Sequence, residues 1–252
     1  MRLLKDARLE GVIAWEVIDD PTRPVTIWKV HNSTQPYVEE QLKNFLAGYS
    51  RNLLQSQPNH IELFAEKKTL TSILQPISMR YCMPMTIGSG CCSIAPIKKL
   101  ANRFRRSGKE KLIIFTIADL DPAGIMIARS FTQRLRDYFH IWNVDARRVA
   151  LTQDQVDDYS LVVGGNIDDK EDVNKEAFRD EFGENTYEVE ALEPSALEVI
   201  VEDAIEQTID TDAYNDEIEQ EENDSRFLEA KRKLIMAYAG SLPSVAEDEV
   251  GD

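Results

Sequence analysis

The chain has 252 residues, 42% of them hydrophobic, which suits one α/β domain of ordinary size with helical additions. No run of about 18 apolar residues occurs and residues 1–6 lack the apolar core of a signal peptide, so no membrane span is expected. The default location is then the cytoplasm, or the host cytoplasm for a phage-encoded chain. A net charge of -16 excludes a uniformly basic nucleic-acid binder, but the charge is unevenly spread.

Leu3, Leu4, Ala7 and Leu9 predict a short helix closed by Gly11, and 12–15 reads as a strand or a helix start. Asp19-Asp20-Pro21-Thr22-Arg23-Pro24 predicts a turn. Tyr37, Leu42, Phe45, Leu46, Tyr49 and Leu53 predict a helix over 37–54, with Tyr37 and Tyr49 as helix core residues.

From residue 60 strands and helices alternate. His60-Ile61-Glu62-Leu63-Phe64 predicts a strand, and Leu70, Ile73, Leu74 and Ile77 an amphipathic helix. Met85-Thr86-Ile87 predicts a short strand closed by Gly88-Ser89-Gly90. Ile94, Ile97, Leu100, Ala101 and Phe104 mark the next helix. The unbroken apolar run 112–117 is expected of a central parallel strand buried on both faces. Ile125, Ala128, Phe131, Leu135 and Tyr138 predict a third helix, and 142–144 with 148–151 a last strand region. This alternation predicts a parallel sheet flanked by helices.

Beyond Thr152 the pattern turns helical and acidic, with roughly 26 acids against 3 bases from Asp154 to Asp224. Apolar spacing persists at Phe178, Phe182, Leu197, Val201 and Ile205, 227–238 predicts a last helix, and 246–252 a frayed tail. The expected division is an N-terminal segment 1–57, a core 58–152, an acidic helical C-terminal extension 153–245 and a tail 246–252. Cys82, Cys91 and Cys92 supply neither a disulfide framework nor four zinc ligands.

One constellation carries chemistry. Asp119 and Asp121 follow the buried strand, and extended backbone puts both carboxylates on one side with Leu120 on the other. Asp121 suits a helix N-cap, Pro122 a first helical position, and Gly124 close packing at the turn. Carboxyl ends of parallel strands are where open α/β sheets place ligands. Two acids there repel unless a cation intervenes, and a hard ion such as Mg²⁺ fits an all-oxygen set. Glu66, after the preceding apolar strand, opens on the same edge and can complete a three-carboxylate site. A lone Asp-x-Asp is as often a cap or a loop acid; the ordered set is more specific.

Glu66-Lys67, Gly88-Ser89-Gly90 and Asp119-Leu120-Asp121-Pro122-Ala123-Gly124 resemble the TOPRIM domain. The resemblance is to the variant in the A subunit of type IIB topoisomerases and its meiotic relatives, and to bacterial and phage TOPRIM nuclease-like proteins. Leu151-Thr152-Gln153-Asp154-Gln155-Val156 followed by Tyr187-Glu188-Val189-Glu190-Ala191-Leu192 is similar to a tail pattern in those relatives. The similarity spans roughly residues 58–206. It implies that Glu66, Asp119 and Asp121 bind Mg²⁺ (or Mn²⁺) for phosphodiester cleavage. It further implies that Glu66 is a ligand or general acid–base and that Lys67 or Lys68 stabilises the phosphate. The chain departs from the pattern at Gly90, which Cys91-Cys92-Ser93 follows where relatives often carry an aromatic residue. Residues 1–57 are too few for the upstream tyrosine-bearing winged-helix domain and look like its closing part.

The basic residues Lys98, Lys99, Arg103, Arg105, Arg106 and Lys109 are expected to contact nucleic acid near that loop, with a solvated helix face as the alternative. DNA is the expected partner of a metal-dependent nuclease. A protein partner through the acidic C-terminal region and a homodimer are further expectations. The competing functions are a non-catalytic TOPRIM scaffold subunit and a primase-like nucleotidyl transferase. A dinucleotide enzyme lacks support, since no G-x-G-x-x-G follows a strand.

Overall fold

The computed structural model describes residues 2–14, 28–88, 94–169 and 172–241. They fall into two compact units. The smaller comprises Met1–Gly48 with Arg232–Asp252, and the larger Tyr49–Lys231. The expected turn at 19–24, the loop residues Ser89 to Ser93 and the tail 246–252 lie outside the described residues, as does Trp15.

The smaller unit contains α1 (Arg2–Leu9) and α2 (Thr34–Asn44). The helix expected over 37–54 stops at Asn44, because Leu46 and Gly48 take positive φ of 55° and 76°. None of the side chains of α2 is buried, and Tyr37 is exposed rather than a core residue. Tyr49 is likewise not helical; in the larger unit its hydroxyl donates to Asp224 at 2.7 Å.

The larger unit is built on β1 (His60–Ala65), β2 (Met85–Ile87), β3 (Leu112–Ile117) and β4 (Val144–Ala150), in the order β2-β1-β3-β4 and all parallel. The links are α3 (Thr71–Arg80), α4 (Ile94–Ser107) and α5 (Pro122–Phe139). Period-two alternation sorts the strand side chains into two layers. Ile61, Leu63, Ala65, Ile113, Phe115 and Ile117 pack with Leu74 and Ile77 of α3. Phe64, Leu112 and Ile114 pack on the other face with Ile97, Leu100 and Phe104 of α4 and Phe131 and Leu135 of α5. Both central strands are buried on both faces, as expected of parallel pairing.

After Thr152 come α6 (Gln153–Asp158), β5 (Gly165–Asn166), α7 (Lys175–Phe182), β6 (Asn185–Thr186), α8 (Pro194–Glu206) and α9 (Thr211–Ser241). β5 and β6 pair antiparallel, a feature that the acidic, helical expectation for this region lacked. The structure also draws no boundary at 152. Val156, Phe178, Val189, Leu192, Leu197, Val201 and Ile205 belong to the same apolar layer as α3 and the sheet. Leu197, Val201 and Ile205, four apart, give α8 one buried stripe under an acidic surface. Burying such side chains is worth about 1.5–3 kcal/mol each, enough to make this stretch part of the main core.

The sheet order fixes where a ligand cleft opens. The chain leaves β1 towards β2 and leaves β3 towards β4, in opposite directions, so the crevice lies between the carboxyl ends of β1 and β3. Glu66, whose N–H donates to the Ile117 carbonyl at 2.9 Å, stands there.

Candidate functional site

Past β3 the chain runs Ala118-Asp119-Leu120-Asp121 before α5 begins. Leu120 points into the core at 1% exposure, while Asp119 and Asp121 remain 8% and 6% exposed, on the opposite side as alternation requires. Asp121 caps α5: its Oδ1 accepts from the Gly124 N–H at 2.6 Å, and Pro122 holds the first turn. Gly124 is required here. A Cβ on it would lie 2.1 Å from the Asp119 carbonyl oxygen.

Glu66, Asp119 and Asp121 form one electrostatic cluster. Burial raises the Glu66 carboxyl above its ordinary value, and the charges of Asp119 and Asp121 raise it further. Its Oε2 is buried without a hydrogen-bond partner. Burial likewise raises Asp119, against the Val189 N–H on Oδ1 at 2.9 Å and the Lys67 ammonium 2.9 Å from Oδ2.

Lys67 sits among three acids. Besides Asp119, its Nζ is 2.6 Å from Glu190 Oε2 and 3.8 Å from Glu188 Oε2. Burial lowers its affinity for the proton, but the bonds to Glu190 and Asp119 outweigh that and hold the ammonium charged. Glu190 is held below its usual range despite burial, by Lys67 and by the Thr69 hydroxyl at 2.7 Å. Lys68 is exposed and outside this set.

The segment 187–190 therefore closes the site. Leu120 and Tyr187 exchange backbone hydrogen bonds of 2.9 and 3.0 Å, which brings the Val189 N–H to Asp119. Glu188, Glu190 and this N–H carried no expected role from sequence. The available signal was alternation across Tyr187-Glu188-Val189-Glu190, with Val189 buried and both acids outward.

Arg148 was also missed. It is a half-buried arginine near the end of β4, one residue after the solvent-facing Arg147. Its guanidinium donates to the carbonyls of Ala118 and Gly124, each at 3.0 Å, of Leu151 at 2.5 Å, and of Asp119. Burial lowers its pKa to about 10, against the pull of Asp121, Asp119 and Glu66. The guanidinium pins the backbone under the acids.

The expected basic face divides. Arg103 forms a two-point ion pair with the buried Glu62, 2.8 Å from Nε and 2.6 Å from Nη2, and this bond raises its pKa. Arg105 donates to the Phe139 carbonyl and Arg106 to that of Asn102. Lys98 and Lys99 are exposed near the start of α4. Since α4 follows β2 and returns to feed β3, it runs from the acid edge of the sheet to the opposite edge. Arg103, Arg106 and Lys109 thus lie away from the acids, not beside them.

Among the described residues no three His, Cys, Asp or Glu side chains are arranged to hold a metal ion. Glu66, Asp119 and Asp121 are neighbours rather than a cage, with Lys67 supplying a positive charge at Asp119. The side chains are of the type that a hard cation takes: carboxyl oxygens, with Glu66 Oε2 buried without a hydrogen-bond partner and burial raising Glu66 and Asp119. No helix among the described residues is long and apolar enough to cross a membrane. No family model, no curated protein and no solved structure matches the chain.

Proposed function

We propose that the chain is a TOPRIM-like phosphodiesterase that cleaves DNA with Mg²⁺ or Mn²⁺ held by Glu66, Asp119 and Asp121. The observation that carries this reading is the partnerless, buried Glu66 Oε2 beside two carboxylates at the crevice between β1 and β3. Bound there, a divalent ion supplies Lewis acidity towards a phosphate oxygen and acidifies a coordinated water. The chain's own groups do the rest. Asp121 holds the start of α5, Arg148 fixes the carbonyls beneath the acids, and the Val189 N–H orients Asp119. Lys67 keeps a positive charge where a substrate phosphate would sit. Purified protein is incubated with supercoiled plasmid and Mg²⁺ or Mn²⁺. Nicking that Asp119→Asn and Glu66→Gln each reduce by about 100-fold or more supports the reading. Variants that cut as well as the parent overturn it.

A second reading, a non-catalytic TOPRIM scaffold in a larger DNA-processing assembly, draws on Lys67. Its ammonium compensates Asp119 and Glu190. Absence of plasmid cleavage together with stable co-purification of a protein partner selects it.

A further inference from the structure

A cavity of about 600 Å³ opens at the amino edge of the sheet, the edge opposite Glu66 and Asp119. Its floor is the start of β1, at His60 and Ile61, and Pro84 ahead of β2; its wall is the end of α4. The six residues of β1 separate it from the acids by roughly 17–20 Å.

Its lining is chemically one-sided. Arg51, Arg103, Arg106 and Lys109 face it, and among the described residues no aspartate or glutamate does, in a chain with 45 acids and 29 bases. Two of the cations are locked from behind. Glu62 holds Nε and Nη2 of Arg103, leaving Nη1 outside the pair. Glu217 and Asp224 hold Nε and Nη1 of Arg51, leaving Nη2. Fixing a guanidinium along one edge presets the donors that remain. The other two are not locked in this way: Arg106 donates to the Asn102 carbonyl and Lys109 to the Gln55 carbonyl at 2.7 Å, and among the described residues neither is in an ion pair with a carboxylate. Leu54, Ile61 and Pro84 add an apolar patch.

We propose that this cavity binds a small phosphorylated molecule of mononucleotide size, with Arg106 and Lys109 as its charge-bearing anchors and Arg51 and Arg103 as preset donors. The volume lies within the range of small-ligand sites, and forked guanidinium donors suit phosphate oxygens. The site shares no residue with the acid cluster.

The test is isothermal titration of the full chain in low-salt buffer with ADP, with inorganic pyrophosphate, and with a single-stranded oligonucleotide. ADP binding that Arg106→Glu and Lys109→Glu each weaken at least tenfold, and that Asp119→Asn leaves unchanged, supports the proposal. Pyrophosphate binding with the same variant pattern supports it as well and assigns the recognition to the phosphates. Both anchors are on the surface, and unchanged melting temperatures confirm that the variants fold. No ADP or pyrophosphate binding at millimolar concentration overturns the proposal, as does binding that the variants leave intact. Binding of the oligonucleotide alone also overturns it, in favour of a nucleic-acid surface. Failure of plasmid cleavage bears only on the acid site.

Discussion

Lys67 Nζ stands 2.9 Å from Asp119 Oδ2, so the ammonium occupies one side of the carboxylate that a divalent ion would need. A bound ion must displace this lysine or share Asp119 with it. Lys67→Met removes the competitor. Without metal the variant should lose about 1–2 kcal/mol of stability, because partly buried acids lose their counter-charge. Added Mg²⁺ should then raise its melting temperature more than that of the parent. Equal Mg²⁺ responses would separate Lys67 from the metal chemistry.

Glu66 should contribute to the pH dependence of stability in a direction unusual for a carboxylate. Glu66 has its pKa raised above 4.5 by burial and by its acidic neighbours. Between 4.5 and that raised value the folded chain holds more proton than the unfolded chain, so this group's contribution to stability improves as pH falls through the window. Glu66→Gln removes the effect. In EDTA the variant should melt above the parent at pH 8, and the difference should close as the pH approaches 4.5. A gap that widens towards acid contradicts the direction assigned to Glu66.

The cap that Asp121 provides is separable from the metal role proposed for it. As an N-cap it accepts from the Gly124 N–H at 2.6 Å. An asparagine caps comparably, whereas an alanine costs about 1 kcal/mol. Asp121→Asn should therefore keep stability within about 0.5 kcal/mol while reducing metal-dependent cleavage, and Asp121→Ala should lose both. Chemical denaturation read beside plasmid nicking separates the roles. If Asp121→Asn cleaves like the parent, Asp121 is a cap alone.

Gly124→Ala should be among the costliest single-methyl changes in the larger unit. The added carbon would meet the Asp119 carbonyl at 2.1 Å, forcing α5 or the Asp119 backbone to shift. A loss of about 3 kcal/mol, at the upper end for overpacking, is expected in urea denaturation. A loss under about 1 kcal/mol would mean that this turn yields easily.

Arg103 should contribute to stability as well as serving as a donor in the cavity. Glu62 is 1% exposed and is held by the Arg103 guanidinium, with His60 Nε2 2.8 Å away. Arg103→Ala should cost about 2–4 kcal/mol by leaving a buried carboxylate short of its counter-charge. Lys98→Ala and Lys99→Ala, on exposed positions, should stay within about 0.5 kcal/mol. Thermal melts of the three variants check the contrast.

What the sequence disclosed followed from periodicity. The apolar run at 112–117 and the alternation at 60–64 locate both central strands, and the Asp119-to-Gly124 spacing locates the turn, the cap and the close approach. Each is a local rule acting within a few residues. What stayed hidden is non-local. Nothing within ten residues of Val189 shows that its N–H meets Asp119, and nothing around Lys67 shows that Glu190 will face it. Arg148 looks like any strand arginine until its carbonyl partners, drawn from three turns, surround it. The helix expected over 37–54 fails for the opposite reason: left-handed backbone at Leu46 and Gly48 overrides an apolar spacing that local periodicity favours.

The Leu120–Tyr187 bridge sets an order of assembly. Asp119 emerges during synthesis 70 residues before the Val189 amide that orients it. At translation rates of about 5–20 residues per second, that is a wait of several seconds. The sheet has all its strands once residue 150 is out, but its acidic edge stays open until the second wall arrives. The apolar layer under the sheet waits with it, since Val189, Leu197 and Val201 belong to that layer, so the acidic centre and the core beneath it are completed together.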